Sequence, residues 1–137
     1  FTIPETTVEK LAEEVSAKLH AAVPRIAGDR QLKVTRVALS PGAAGFNRET
    51  TALEMPEVQV LILGETREWE TVEYVTDAYA EGRAKALIAL GHIPAEQAGM
   101  DECARWLKTF IGQVPIEFVP TADMWAPPRP TSSKSKL

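Results

Sequence analysis

The chain has 137 residues, 45% of them hydrophobic, a formal net charge of −4 and one cysteine. That length suits a single domain with an ordinary globular core. The acidic balance excludes a nucleic-acid binder driven by phosphate attraction. No apolar stretch approaches the ~20 residues of a membrane-spanning helix, so no membrane partner is expected either. Cys103 stands alone, which excludes an internal disulfide and a cysteine-cluster zinc site. A cytoplasmic setting is expected.

In chain order, residues 6–22 read as the first helix. Val8, Leu11, Ala12, Val15 and Leu19 repeat at the spacing of one buried face. Thr6 and Glu9 form a capping box at its start. "VPRIAGD" suits a short edge strand ending in a Gly-Asp turn. Three apolar runs follow, VTRVALS (34–40), VQVLILG (58–64) and KALIALG (85–91). Each has strand length and ends in a small residue. The last two are almost unbroken by polar residues, as strands covered on both faces should be.

Helical patterns alternate with these runs. A weak one covers 47–55. A clearer one covers 67–81, with Trp69, Val72, Val75 (or Tyr74) and Tyr79 as its apolar side and Gly82 as its stop. Another covers roughly 97–112, with Met100, Cys103, Ala104, Leu107 and Ile111 as its stripe and Gly112 as its stop. "IEFVP" (116–120) reads as a last short strand. Residues 1–126 are expected to form one domain, and the Pro/Ser/Lys-rich tail 127–137 to be disordered. The tail ends in Ser-Lys-Leu, a peroxisomal address if the source is eukaryotic. The alternation predicts an α/β fold, a mixed, mostly parallel sheet flanked by helices.

Ligands of such sheets gather beyond the carboxyl ends of the strands. Three segments meet there: "SPGAAG" (40–45), "GETRE" (64–68) and "GHIPAE" (91–96). Pro94 favours an extended Ile93, which puts His92 on the strand-end loop and Glu96 in the first turn of the next helix. Imidazole nitrogen and carboxylate oxygen are good ligands for zinc, iron or manganese. A glutamate favoured by the helix dipole and a histidine bonded to a carbonyl explain the same pair without metal. Glu65 suits a general base or a site carboxylate, or a plain ion pair with Arg67. The small-residue loop with Ser40, Gly42 and Gly45 lets backbone amides approach an anionic substrate; a tight turn is its plainer explanation. Cys103 and the helical aromatics read as packing.

These segments resemble the carboxyl-terminal half of the Nif-three-like family, also called dinuclear metal-centre proteins, some of them described as homologues of a type-two GTP cyclohydrolase I. The resemblance runs from "LGETREWETVEYVTDAYAEG" through "KALIALGHIPAEQAGMDECARWL" to "IEFVP", with "RIAGDRQLKVTRVALSPGAAG" upstream. It spans roughly residues 6–120. It implies one α-β-(β-α)3-like repeat of that fold, a ring-like homo-oligomer, and His92 and Glu96 as metal ligands beside Glu65. The family's threonine before the glutamate is Ala95 here, so a hydrogen bond behind the ligand is lost. The His-His pair that the family's other half supplies is absent. Two ligands do not hold two ions tightly, so metal is expected to be weak or absent in this chain alone.

Phe1 in place of methionine leaves two arrangements open: the second half of a longer protein with its ligands upstream, or a stand-alone relative. Three functions follow. The first is a metal-dependent, hydrolase-like module, with His92 and Glu96 on metal and Glu65 orienting substrate or water. The second is a non-catalytic interaction or oligomerisation domain that binds a protein partner or its own copies. The third is a small-molecule sensor that uses the rim without metal.

Overall fold

The computed structural model describes residues 1–128. Most of the expected tail, with its Ser-Lys-Leu end, lies outside the described residues. The elements in chain order are β1 (Thr2–Thr7), α1 (Val8–Leu19), β2 (Arg25–Gly28), β3 (Lys33–Ser40), α2 (Phe46–Glu54), β4 (Val60–Leu63), α3 (Glu73–Ala80) after a π-helical turn at Glu68–Val72, β5 (Ala86–Ala89) and α4 (His92–Leu107). From α1 onward the order is the expected α-β-(β-α)3. One five-stranded mixed sheet runs β1-β3-β4-β5-β2. The central ladders β3–β4 and β4–β5 are parallel, and the two edge strands run antiparallel to their neighbours. No helix among the described residues is long and apolar enough to cross a membrane.

The unbroken apolar runs of β4 and β5 are explained by two cores. Val60, Ile62, Ala86 and Ile88 point to one face, where Val8, Leu11 and Ala12 of α1 cover them. Leu61, Leu63, Leu87 and Ala89 point to the other, against Leu53 of α2 and Val75 of α3. With a side-chain period of two, a strand buried on both faces has no polar position left. At the opposite end of the sheet from the rim, buried Lys85 donates from Nζ to the carbonyls of Met55 (2.8 Å) and Val58 (2.5 Å). Burial lowers its pKa, with the nearby Arg83 charge acting the same way.

Several expected boundaries move. Thr2–Thr7 is a strand, so α1 begins after it. Its cap is Thr7, whose Oγ1 accepts from the Lys10 amide, in place of a Thr6–Glu9 box. Trp69 and Tyr79 are exposed, at 69% and 52%. The π turn, in which the Glu73 amide reaches back to the Glu68 carbonyl, adds a residue and rotates the phase. Thr71, Val75 and Ala78 become the buried stripe. Residues 116–120 form no strand. They run alongside α4, where the Thr121 amide donates to Gln97 Oε1 at 2.7 Å. The last helix starts five residues earlier than expected and ends at Leu107, short of Gly112.

Candidate functional site

Ser40, Leu63 and Ala89 stand side by side at the carboxyl ends of the three parallel strands. Beyond them the backbone continues to knit. The Gly64 amide donates to the Ser40 carbonyl (3.3 Å), Glu65 to Gly42 (2.9 Å) and Gly91 to Gly64 (2.8 Å). This brings two backbones very close together. A Cβ on Gly64 would lie 2.5 Å from the Gly42 carbonyl oxygen and 2.7 Å from its nitrogen, so only a hydrogen fits. Gly42 itself has φ +68°, and its α-carbon lies directly under the Glu96 carboxylate.

The Gly-His-Ile-Pro segment is helical from His92, which corrects the loop position expected for that residue. Gly91 (φ +97°) is the cap. Pro94 is the third helical residue, and the first intrahelical bond is donated by Ala95 to the Gly91 carbonyl (3.2 Å). The first amides of a helix have no partner, so a proline there removes no bond. The result is that His92 and Glu96 stand one turn apart on the same helix face.

The imidazole lies between two carboxylates. His92 Nδ1 is 3.2 Å from Glu65 Oε1, and Nε2 is 3.0 Å from Glu96 Oε2. Glu65 thus contacts His92, while Arg67 pairs with Glu70 at 2.9 Å. The hydrogen bond to Glu65 holds the His92 pKa above the ordinary histidine range; burial opposes it, and the Glu96 and Glu65 charges support it. All three side chains are partly exposed, between 38% and 51%, so solvent tempers these attractions.

Two donors bound to one ion at ~2.0–2.2 Å stand about 3.0–3.5 Å apart. The Nε2···Oε2 separation meets that requirement, and the Nδ1–Glu65 contact is the outer hydrogen bond that metal-ligating histidines use. The pair therefore fits a divalent ion as two ligands. The number of ligands remains short. Among the described residues no group of three or more His, Cys, Asp or Glu side chains is placed to share an ion. Residues 129–137 contain none of these residue types.

Of the other expected residues, Ser40 gives its carbonyl to the rim bonds. Gly42 is buried beneath Glu96, and exposed Gly45 caps α2. Gly45 and Glu65 reach a hollow of about 420 Å³ beside Thr66, Arg67 and Trp125. Its wall holds Glu49, a residue the sequence reading did not single out. Glu49 is 1% exposed. Its Oε2 accepts hydrogen bonds from Thr66 (2.6 Å) and Thr71, and its Oε1 has no protein partner. The available signal was its place four residues before Leu53, on the core face of α2.

Fold and rim together define a mixed α/β module that carries a Glu–His–Glu cluster where its parallel strands end. The chain belongs to the Duf34/NIF3 (NGG1p interacting factor 3) family, whose pattern matches residues 2–124. Among solved structures it is similar to ybgI, a structural-genomics protein of unknown function, with TM-score 0.66 and 22% identity over 88% of this chain and 45% of that one. Staphylococcus aureus protein SA1388 gives TM-score 0.59 and 19% identity over 85% and 39%. A Bacillus cereus protein related to NIF3 gives 0.58 and 18% over 85% and 34%. At these identities the likeness is one of fold, and the chain spans less than half the length of each. No curated protein matches it by sequence.

Proposed function

We propose that the rim is a divalent-metal half-site of a hydrolase-like protein, with His92 and Glu96 as ligands and Glu65 as the group that orients the imidazole. The 3.0 Å approach of Nε2 to Glu96 Oε2, with Nδ1 held by Glu65, carries this reading. Zinc, iron and manganese all accept such donors. A bound ion would supply Lewis acidity for hydrolysis. The chain's own contribution is to fix the tautomer through Glu65 and to hold Glu96 against Gly42. The Ser40–Gly45 loop borders the same rim and suits an anionic portion of a substrate.

The test is metal content per chain by elemental analysis of untagged protein, beside the variant His92→Ala/Glu96→Ala. The expected result is weak metal uptake by the native protein equilibrated with excess zinc, and none in a variant with an unchanged far-UV spectrum. Equal metal in both proteins, or none in either, overturns the assignment. Family membership is compatible with a second reading, a non-catalytic assembly domain. Met100 of α4, 59% exposed, favours it in part.

A further inference from the structure

The hollow walled by Glu49 holds a carboxylate that the fold leaves half used. Its border carries five ionisable residues, Arg25, Glu49, Glu65, Arg67 and Glu70. Four of them are engaged in ion pairs. Arg25 meets Glu68 at 3.0 Å, Arg67 meets Glu70 at 2.9 Å, and Glu65 meets His92 at 3.2 Å. Glu49 is the exception. Only the neutral hydroxyls of Thr66 and Thr71 donate to it, both to Oε2, and among the described residues nothing donates to Oε1. The two threonines come from the β4–α3 connection and the π turn, so they hold Oε2 from the protein side. Oε1 is left as the free acceptor of a side chain that is 1% exposed. A carboxylate taken out of water is costly unless a cation or further donors meet it. Phe46 and Trp125 border the same hollow and add aromatic surface to it.

We infer that this hollow binds the primary ammonium group of a small organic molecule, with Glu49 as its counter-ion and Trp125 and Phe46 against its carbon part. The unpaired carboxylate selects a cation over a neutral or anionic occupant. The donor set selects an ammonium over a bare divalent ion, which asks for several oxygens at once; the other carboxylates here already have partners. It also selects an ammonium over a guanidinium. A guanidinium fork takes both oxygens of a carboxylate, and Oε2 is already filled by two hydroxyls, whereas a point-like ammonium needs Oε1 alone. The aromatic pair suits the carbon part and the cation's attraction to a ring face. The volume lies within the ~300–1,000 Å³ of small-molecule sites. Glu65 both lines the hollow and contacts His92, so the occupant sits beside the rim cluster. On the metal reading the amine is the substrate's recognition handle; its binding to Glu49 needs no metal.

The experiment uses the full chain in chelator at neutral pH and follows its N–H signals by two-dimensional NMR. Benzylamine, benzamidine and benzyl alcohol are added in turn; they share a ring and carry an ammonium, an amidinium and a neutral hydroxyl. Expected are shifts centred on the Gly45, Thr66 and Gly91 amides and the Trp125 indole, with benzylamine bound at least about tenfold tighter than the alcohol. Glu49→Gln keeps the side chain's shape and an acceptor for the threonine hydroxyls, and should bind the amine and the alcohol alike. Equal binding of the two by the native protein, or by neither, overturns the inference without reference to the variant's folding. A benzylamine preference that survives in Glu49→Gln overturns the assignment to Glu49, and tighter binding of benzamidine overturns the ammonium. Binding seen only in Arg129→Ala would put the chain's own cation in the hollow and overturn the small-molecule reading. Because chelator is present throughout, failure here leaves the metal reading standing, and a metal-free protein leaves this one standing.

Discussion

The close approach of Gly64 to Gly42 gives the sharpest test of how the rim is built. In Gly64→Ala the new methyl would meet the Gly42 carbonyl oxygen at 2.5 Å, its nitrogen at 2.7 Å and its α-carbon at 2.9 Å. These are backbone atoms, held by the Glu65-to-Gly42 and Gly64-to-Ser40 hydrogen bonds, so no side chain can swing aside. Overpacking in a filled site costs about 1–3 kcal/mol, and the rigidity here sets the expectation near the upper end, ~3 kcal/mol. For a chain of this size that is roughly a 10 °C fall in Tm. Gly99→Ala is the control. It lies within α4 and a Cβ there meets nothing, so better helix propensity should stabilise by ~0.5–1 kcal/mol. Urea unfolding followed by far-UV circular dichroism reads both, with the m-value confirming that the same surface unfolds. A Gly64→Ala protein within about 0.5 kcal/mol of the native one at equal m would refute the close-packed rim.

Two further outcomes follow from the same geometry. Glu49→Ala should cost ~2–3 kcal/mol by urea unfolding, because it leaves the Thr66 and Thr71 hydroxyls without their acceptor; a change under about 0.5 kcal/mol would mean that the carboxylate does not join α2 to the β4–α3 connection. In the metal-free protein His92 binds its proton more tightly when folded. Its contribution is therefore full below the unfolded value of ~6.5 and is lost as pH rises through the raised folded value. At these exposures it amounts to a few tenths of a kcal/mol. The stability difference between native protein and His92→Asn should shrink as pH rises through that window, and a difference that grows would contradict the pairing.

The parts of the fold that were legible in the sequence are those where local pattern and burial agree. β4 and β5 have long apolar runs because both faces are covered, and that pattern needs no partner to be read. β1 was hidden because TIPETT carries a proline and polar residues; its pairing with β3, more than twenty-five residues away, makes it a strand. Trp69 and Tyr79 were misplaced because a π turn changes the helical period without any proline or glycine to mark it. At the rim, the residue types and the one-turn relation of His92 to Glu96 were readable. The start of α4 was not, because proline at the third helical position looks the same in sequence as proline at the first. Gly42 reads as part of a small-residue loop or tight turn and Gly64 as a strand end, whereas in three dimensions they meet. Residues 116–120 have strand composition, but they pair with neither edge strand, β1 or β2, and lie against α4 instead.

Charge ties the two readings of His92 together and leads to a last prediction. With the imidazole protonated, the Glu65–His92–Glu96 cluster carries a net −1; with it neutral, −2, concentrated within hydrogen-bond distance of one ring. A divalent ion and the proton compete for the same Nε2, because a metal-bound imidazole must give up its second proton. The carboxylates that raise the proton affinity also raise the attraction for a divalent cation. Zinc affinity should therefore climb about tenfold per pH unit for each His92 that must lose a proton, until pH passes the raised titration point, and then level off. Isothermal titration in buffers of different ionisation enthalpy counts those protons directly. One proton released per histidine in the site at pH below the titration point, falling to none above it, is the expected result. Zinc uptake without proton release at low pH would place the ion elsewhere and leave Glu65–His92–Glu96 as an ion-pair cluster that fastens α4 to the sheet.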